Sequence, residues 1–297
     1  MLVTGALGLE LSGRSGQFTS ALHAAPLWIL ALAIVLQLIS LIGRTEAWNV
    51  CVRAAGATVR RRVLFRAAGV GYLGSVLNGS LGLAARLASL RRWAPETSPR
   101  VPALLAAEIP IIGVEVTLTA LFSFTLVGPL GLPWFVPVIA VAVMAVALFL
   151  LRRLSDRHRI GLWSGLAVMR SGRGRMVGLV LLAVCAQVAR NWLMLRALGV
   201  HVSILDSMAL LIATFTLGQL PIGPSLGAAA AVLILGAHGV ATAAAAGVLL
   251  TATATAGSLM YASWAVGDRL WDARQGRRRV APAHRAALDF RPSVEVP

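Results

Sequence analysis

The stretch LFRAAGVGYLGSVLNGSLGLAARLASL, Leu64–Leu90, decides how this chain folds. It is apolar over most of its length, but Gly69, Gly71, Gly74, Asn78, Gly79 and Gly82 interrupt it. Arginines stand at both ends: Arg60, Arg61, Arg62 and Arg66 on one flank, Arg91, Arg92 and Arg100 on the other. Arg-rich loops stay on the cytoplasmic side of a membrane. Both ends of the stretch therefore belong on one side, which a single crossing cannot satisfy and a re-entrant hairpin can.

The surroundings support a membrane setting. Of the 297 residues, 58% are hydrophobic and 13% charged, where soluble domains carry about 25% charged residues. Long apolar blocks run over Leu22–Ile42, Val101–Val127, Trp134–Leu151, Met176–Leu198 and Val240–Val266. Each is close to the roughly 20 residues that cross a hydrocarbon core of about 30 Å. A second broken segment, Asp206–Gly236, has Gln219, Pro221, Gly223, Pro224 and Gly227 at its interruptions.

Placing every Arg-rich loop inside gives five full spans and two re-entrant hairpins that enter from opposite faces. The N-terminus is then outside and the C-terminus cytoplasmic. The expected organisation is an N-terminal segment over 1–20, a transmembrane domain over 21–267 and a basic tail over 268–297. Met1–Ser20 does not read as a signal peptide, because Glu10 and Arg14 interrupt it and it lacks a basic start. The two broken segments also resemble each other: Leu73-Gly74 precedes Ser80-Leu81-Gly82, and Leu217-Gly218 precedes Ser225-Leu226-Gly227. A weak repeat in opposite orientations is the pattern of transporters built on inverted halves.

The formal charge is +16, all of the basic residues being Arg. Such an excess can signal nucleic acid, anionic lipid or an anionic substrate. Here most of the arginines fall between apolar blocks, so topology accounts for most of the excess and no nucleic-acid partner is expected. Cys51 reads as part of an Arg-rich loop and Cys185 as part of an apolar block, so a disulfide between them is not expected. The five histidines show no ligand spacing, so neither metal nor cofactor is expected. Gly69–Gly74 matches a dinucleotide fingerprint by letter, but no strand precedes it. No nucleophile–base pair appears, and an enzyme is not expected.

Charged or amide side chains at membrane depth cost several kcal/mol and mark candidate sites. Arg86, Glu108, Arg190, Asn191 and Gln219 are the candidate substrate-binding residues; Asn78, Gly79, Gly82, Pro221, Gly223, Pro224 and Gly227 shape the breaks. Arg86 reads first as an interfacial residue that snorkels. Glu108 is expected to pair with Arg190 or Arg86, and Glu115, two helical turns on, to face the outer interface. Pro110 should kink the helix between them.

The hairpin residues resemble those of the flippase-like integral membrane proteins, the family that includes the transmembrane domain of bacterial lysylphosphatidylglycerol synthases. The resemblance rests on Phe65–Leu90 with Gly82-x-x-x-Arg86, on Ala106-Ala107-Glu108, on Ala197-Leu198-Gly199-Val200 with Asp206, and on Leu220-Pro221-Ile222-Gly223-Pro224-Ser225-Leu226-Gly227. Two departures stand out. The family's first break usually reads Pro-Gly-Arg then Gly-Glu, where this chain has Asn78-Gly79-Ser80 and Gly82-Leu83; its second carries a Glu where this chain has Ala230. The resemblance implies a multi-pass protein of a bacterial plasma membrane that binds an anionic lipid or polyprenyl-phosphate-linked glycan and moves it between leaflets. A non-transporting accessory subunit of a cell-envelope glycosyltransferase or lipid-modifying system is the competing class. The oligomeric state stays open.

Overall fold

The structure, a computed structural model, describes residues 26–77, 79–157, 166, 168, 173–200, 202–217, 226–235 and 240–289. Every regular element among them is helical: α1 (Leu27–Ala54), α2 (Arg61–Leu77), α3 (Gly79–Trp93), α4 (Val101–Ala106), α5 (Ile109–Phe122), a 3-10 turn (Ser123–Leu126), α6 (Val127–Leu130), α7 (Phe135–Arg157), α8 (Arg173–Ala197), α9 (Ile204–Leu217), α10 (Leu226–Leu235) and α11 (Val240–Asp289). Five stretches are long and apolar enough to cross a membrane: Leu27–Ala54, Val101–Leu130, Phe135–Leu154, Arg173–Ala197 and Thr242–Asp272. They are the five expected blocks with moved ends. The outer face of α7 leaves Ile139, Val143, Val146 and Phe149 more than half exposed, an apolar surface of the kind that marks a membrane or protein contact.

The first block ends differently from the sequence expectation. α1 does not stop at Ile42 but continues as helix to Ala54, so Arg44 and Arg53 are helical and Cys51 is fully buried rather than in a loop. Arg44 ended the apolar run on hydropathy, but its charge is neutralised inside the bundle and the helix carries on. Cys51 and Cys185 are both free thiols, one buried and one exposed. The second block is helical in pieces. α4 stops at Ala106 and α5 begins at Ile109 with Pro110 in its first turn, where the missing proline N–H costs nothing. The last helix runs on to Asp289, well past the expected end of the membrane domain.

Leu64–Leu90 forms two helices packed antiparallel. Glycines set their spacing: a Cβ added at Gly82 would lie 2.7 Å from the Gly71 carbonyl oxygen and 2.9 Å from the Ser75 Cα. Where lipid replaces water, close packing between small residues, and not apolar burial, holds helices together. The same device joins α1 to α8, where a Cβ at Gly43 would meet the Leu179 carbonyl at 3.1 Å. α9 and α10 also pack on each other.

The buried apolar residues fall into two main clusters. One contains Ile29 and Ala33 from the start of α1 with Met194 and Leu195 from the end of α8 and Leu198 just after it. The other contains Ala47, Trp48, Cys51 and Val52 from the end of α1 with Met176 and Val180 from the start of α8. The antiparallel α1–α8 pair runs through both, and its middle belongs to neither. That middle is polar.

Candidate functional site

On α1 the polar residues Gln37, Ser40 and Arg44 recur at helical spacing and share a face. Opposite them α8 carries Gln187, Arg190 and Asn191. Gln37, Ser40, Arg190 and Asn191 are all buried. A polar layer thus crosses the bundle between two apolar clusters.

Four charges in it form two ion pairs. Arg86 of α3 pairs with Glu108, the side chains being only 14% and 10% exposed. The Arg86 guanidinium also lies over the Trp48 ring, 4.5 Å from its centroid. Glu108 occupies the N-cap position of α5, with no side-chain capping bond, where the partial positive charge of a helix N-terminus favours a carboxylate. The approach of α2 and α3 makes room for this pair, since a Cβ at Gly71 would sit 2.7 Å from the Arg86 Cβ. Arg86 is therefore drawn inward and does not snorkel. Arg44 of α1 pairs with Glu115, with Nη2 2.6 Å from Oε2. Glu115 is buried and does not face the outer interface. Its position one heptad after Glu108 put it on the same inward face.

Arg190 has no carboxylate partner among the described residues. Its Nη1 donates to Gln37 Oε1 and its Nη2 to Asn191 Oδ1 at 3.3 Å, while Nε is buried without a partner. Of the two expected partners for Glu108, the fold uses Arg86; α8 holds Arg190 beside Gln37 instead. Arg44, Arg86 and Arg190 set against Glu108 and Glu115 leave the layer with one uncompensated positive charge. A buried charge of that kind costs several kcal/mol.

The ion pairs border a cavity of about 290 Å³, lined by Gln37, Arg44, Tyr72, Ser75, Gly82, Arg86, Glu108, Glu115, Gln187 and Ser258 among others. A smaller cavity of about 70 Å³ shares Arg44, Glu115 and Gln187 with it and is otherwise mostly apolar, with Leu118, Phe122, Met208, Leu211 and Phe215 in its walls. Polar and apolar space thus meet at the Arg44–Glu115 pair. Tyr72 closes one side: its hydroxyl donates to the Leu41 carbonyl at 3.0 Å and lies 3.1 Å from the Thr45 hydroxyl.

Of the residues singled out from sequence, Gly82, Arg86 and Glu108 line this cavity, and Arg190 and Asn191 stand behind Gln37. Gly79 opens α3 and Gly227 lies in α10. Asn78, Gln219, Pro221, Gly223 and Pro224 lie outside the described residues. Gln37, Arg44, Tyr72, Ser75, Gln187 and Ser258 were not expected in the site. Gln37 and Gln187 carried a signal, an amide in the middle of an apolar block. The described residues hold no group of three His, Cys, Asp or Glu side chains able to take a metal. Comparison with known protein families, with curated proteins and with solved structures finds no match for this chain.

Proposed function

We propose that this chain is a flippase-like integral membrane protein that binds an anionic lipid in the Arg44–Arg86 cavity and passes it between leaflets. The observation that carries the reading is the junction of a charged cavity and an apolar one at Arg44 and Glu115. An amphiphile needs both kinds of space together. A phosphate-bearing headgroup offers its oxygens to guanidinium groups in the geometry that carboxylates already use. It takes over Arg44 or Arg86 as Glu115 or Glu108 lets go, and Arg190, behind Gln37 and without a carboxylate partner among the described residues, adds positive charge next to the cavity. Exchange of one anion for another keeps the arginines paired throughout and lowers the barrier to passage.

The topology proper to this reading is five spans with two re-entrant hairpins, N-terminus out and C-terminus cytoplasmic, in the plasma membrane. Packing supports it: α2 lies against α3, and α9 against α10, so each pair can enter and leave on one side. The resemblance to the flippase-like family, carried by the Gly82-x-x-x-Arg86 hairpin and Glu108, agrees in substrate class and requires no catalytic step or cofactor.

A single cysteine at Ser75, in a background lacking Cys51 and Cys185, tests the binding claim. Short-chain phosphatidylglycerol should slow its reaction with a soluble thiol reagent severalfold, and phosphatidylcholine of equal chain length should not. Equal protection by both lipids contradicts an anion-binding cavity. Protection without transfer between leaflets selects the accessory-subunit reading instead.

A further inference from the structure

A second ligand-shaped feature lies away from the polar cavity. Among the helices, α7 packs chiefly on α5, and beside it, towards α8, a cavity of about 380 Å³ stays open, with Pro110, Gly113, Leu148, Val177 and Leu181 in its walls. Apart from Thr117, whose hydroxyl donates to the Gly113 carbonyl, the walls are apolar except at one end, where Arg152 near the end of α7 and Arg173 at the start of α8 both line the space. Neither arginine makes an ion pair among the described residues. Arg153 and Arg175 stand close by along the chain.

An apolar trough closed by two guanidinium groups that have no ion-pair partner among the described residues selects its occupant. A soluble anion cannot use the apolar walls, and a neutral lipid leaves the arginines unanswered. A second copy of this chain brings a formal charge of +16 against the same charge, and the buried acidic side chains Glu46, Glu108 and Glu115 already answer arginines within the fold. What fits is a lipid with a negative headgroup, as in the basic pockets between membrane helices that hold anionic lipids. We infer that this groove holds one anionic phospholipid of the surrounding bilayer, an acyl chain along α5 and α8 and its phosphodiester at Arg152 and Arg173. It is a resident lipid, filling the space that α7 leaves beside α8, and it is independent of the cargo proposed for the polar cavity.

Native mass spectrometry of the full chain in detergent, titrated with phosphatidylglycerol or phosphatidylcholine, tests this. The first bound phosphatidylglycerol should be retained at least tenfold more tightly than phosphatidylcholine. Arg152→Ala with Arg173→Ala should erase most of that preference, about fivefold for each arginine, and Arg152→Lys with Arg173→Lys should restore most of it. Gly113→Leu fills the groove, because a Cβ there meets only Leu148, at 3.7 Å; it should remove the tight lipid while both arginines remain. Ser75→Trp, which obstructs the polar cavity, should leave the first bound lipid unchanged. Equal retention of the two lipids by the wild type overturns the inference. So does a preference that survives both the alanine pair and Gly113→Leu, or one abolished by Ser75→Trp.

Discussion

Removing the Glu108 carboxylate should separate the structural from the functional role of the cavity charges. Glu108→Gln leaves Arg86 with its side chain 14% exposed and its carboxylate partner gone. Breaking a buried ion pair from one side costs about 3–5 kcal/mol. Arg86 keeps its stacking on Trp48 and borders a polar cavity, so the lower end applies, about 3 kcal/mol. Adding Arg86→Met removes the stranded charge, and a buried pair replaced by uncharged groups of similar size is often neutral in stability. The double variant should therefore return to within about 1 kcal/mol of wild type, a coupling of at least ~2 kcal/mol in the cycle, where independent sites add within about 0.5 kcal/mol. Equilibrium unfolding in mixed micelles, followed by tryptophan fluorescence, reads all four proteins, and Trp48 reports directly on the pair. Glu115→Gln serves as a comparison: its partner Arg44 is 34% exposed, solvent screens it, and the loss should be nearer 1 kcal/mol. A Glu108→Gln cost below about 1 kcal/mol, or an additive cycle, refutes the buried pair.

Gly82→Ala forces a methyl group within 2.7 Å of the Gly71 carbonyl and should cost about 1–3 kcal/mol; Gly178→Ala, with nothing within 4 Å, should be neutral or stabilising by up to ~1 kcal/mol in the same assay. Arg190→Met removes a guanidinium with no counterion and should leave stability unchanged or raise it, while weakening protection of the Ser75 cysteine by anionic lipid. A single cysteine at Pro95, with Cys51 and Cys185 removed, should stay unlabelled by impermeant reagents added outside intact cells; outside labelling removes the first hairpin from the account.

Much of this was legible in the sequence, and the exceptions share a physical cause. The five spans could be read because roughly 20 apolar residues in a row have few other solutions in water or lipid. Glu108 and Glu115 could be placed on one helix face by spacing, and Pro110 at a break by its missing N–H. What hydropathy could not show was Arg44. A charge at the end of an apolar run looks like the edge of the membrane, and only the three-dimensional neighbour Glu115 reveals that the helix continues for three more turns. The choice of Arg86 over Arg190 as the partner of Glu108 was equally hidden. It depends on how closely Gly71 and Gly82 let α2 and α3 approach, which no one-dimensional pattern encodes. Gln37 and Gln187 belong to a third kind: their amides inside apolar blocks were visible, but they gained meaning only when Arg190 was found to donate to Gln37.

The most direct test of the central claim is transfer of fluorescent phosphatidylglycerol between leaflets of liposomes that contain the purified full chain, read by quenching of the outer leaflet. The account predicts quenching well beyond the half expected of a sealed bilayer, retained phosphatidylcholine asymmetry, and loss of the effect in Arg86→Met/Glu108→Gln although that protein is folded. Quenching that stops at half for the wild type, or transfer undiminished in the folded double variant, contradicts it.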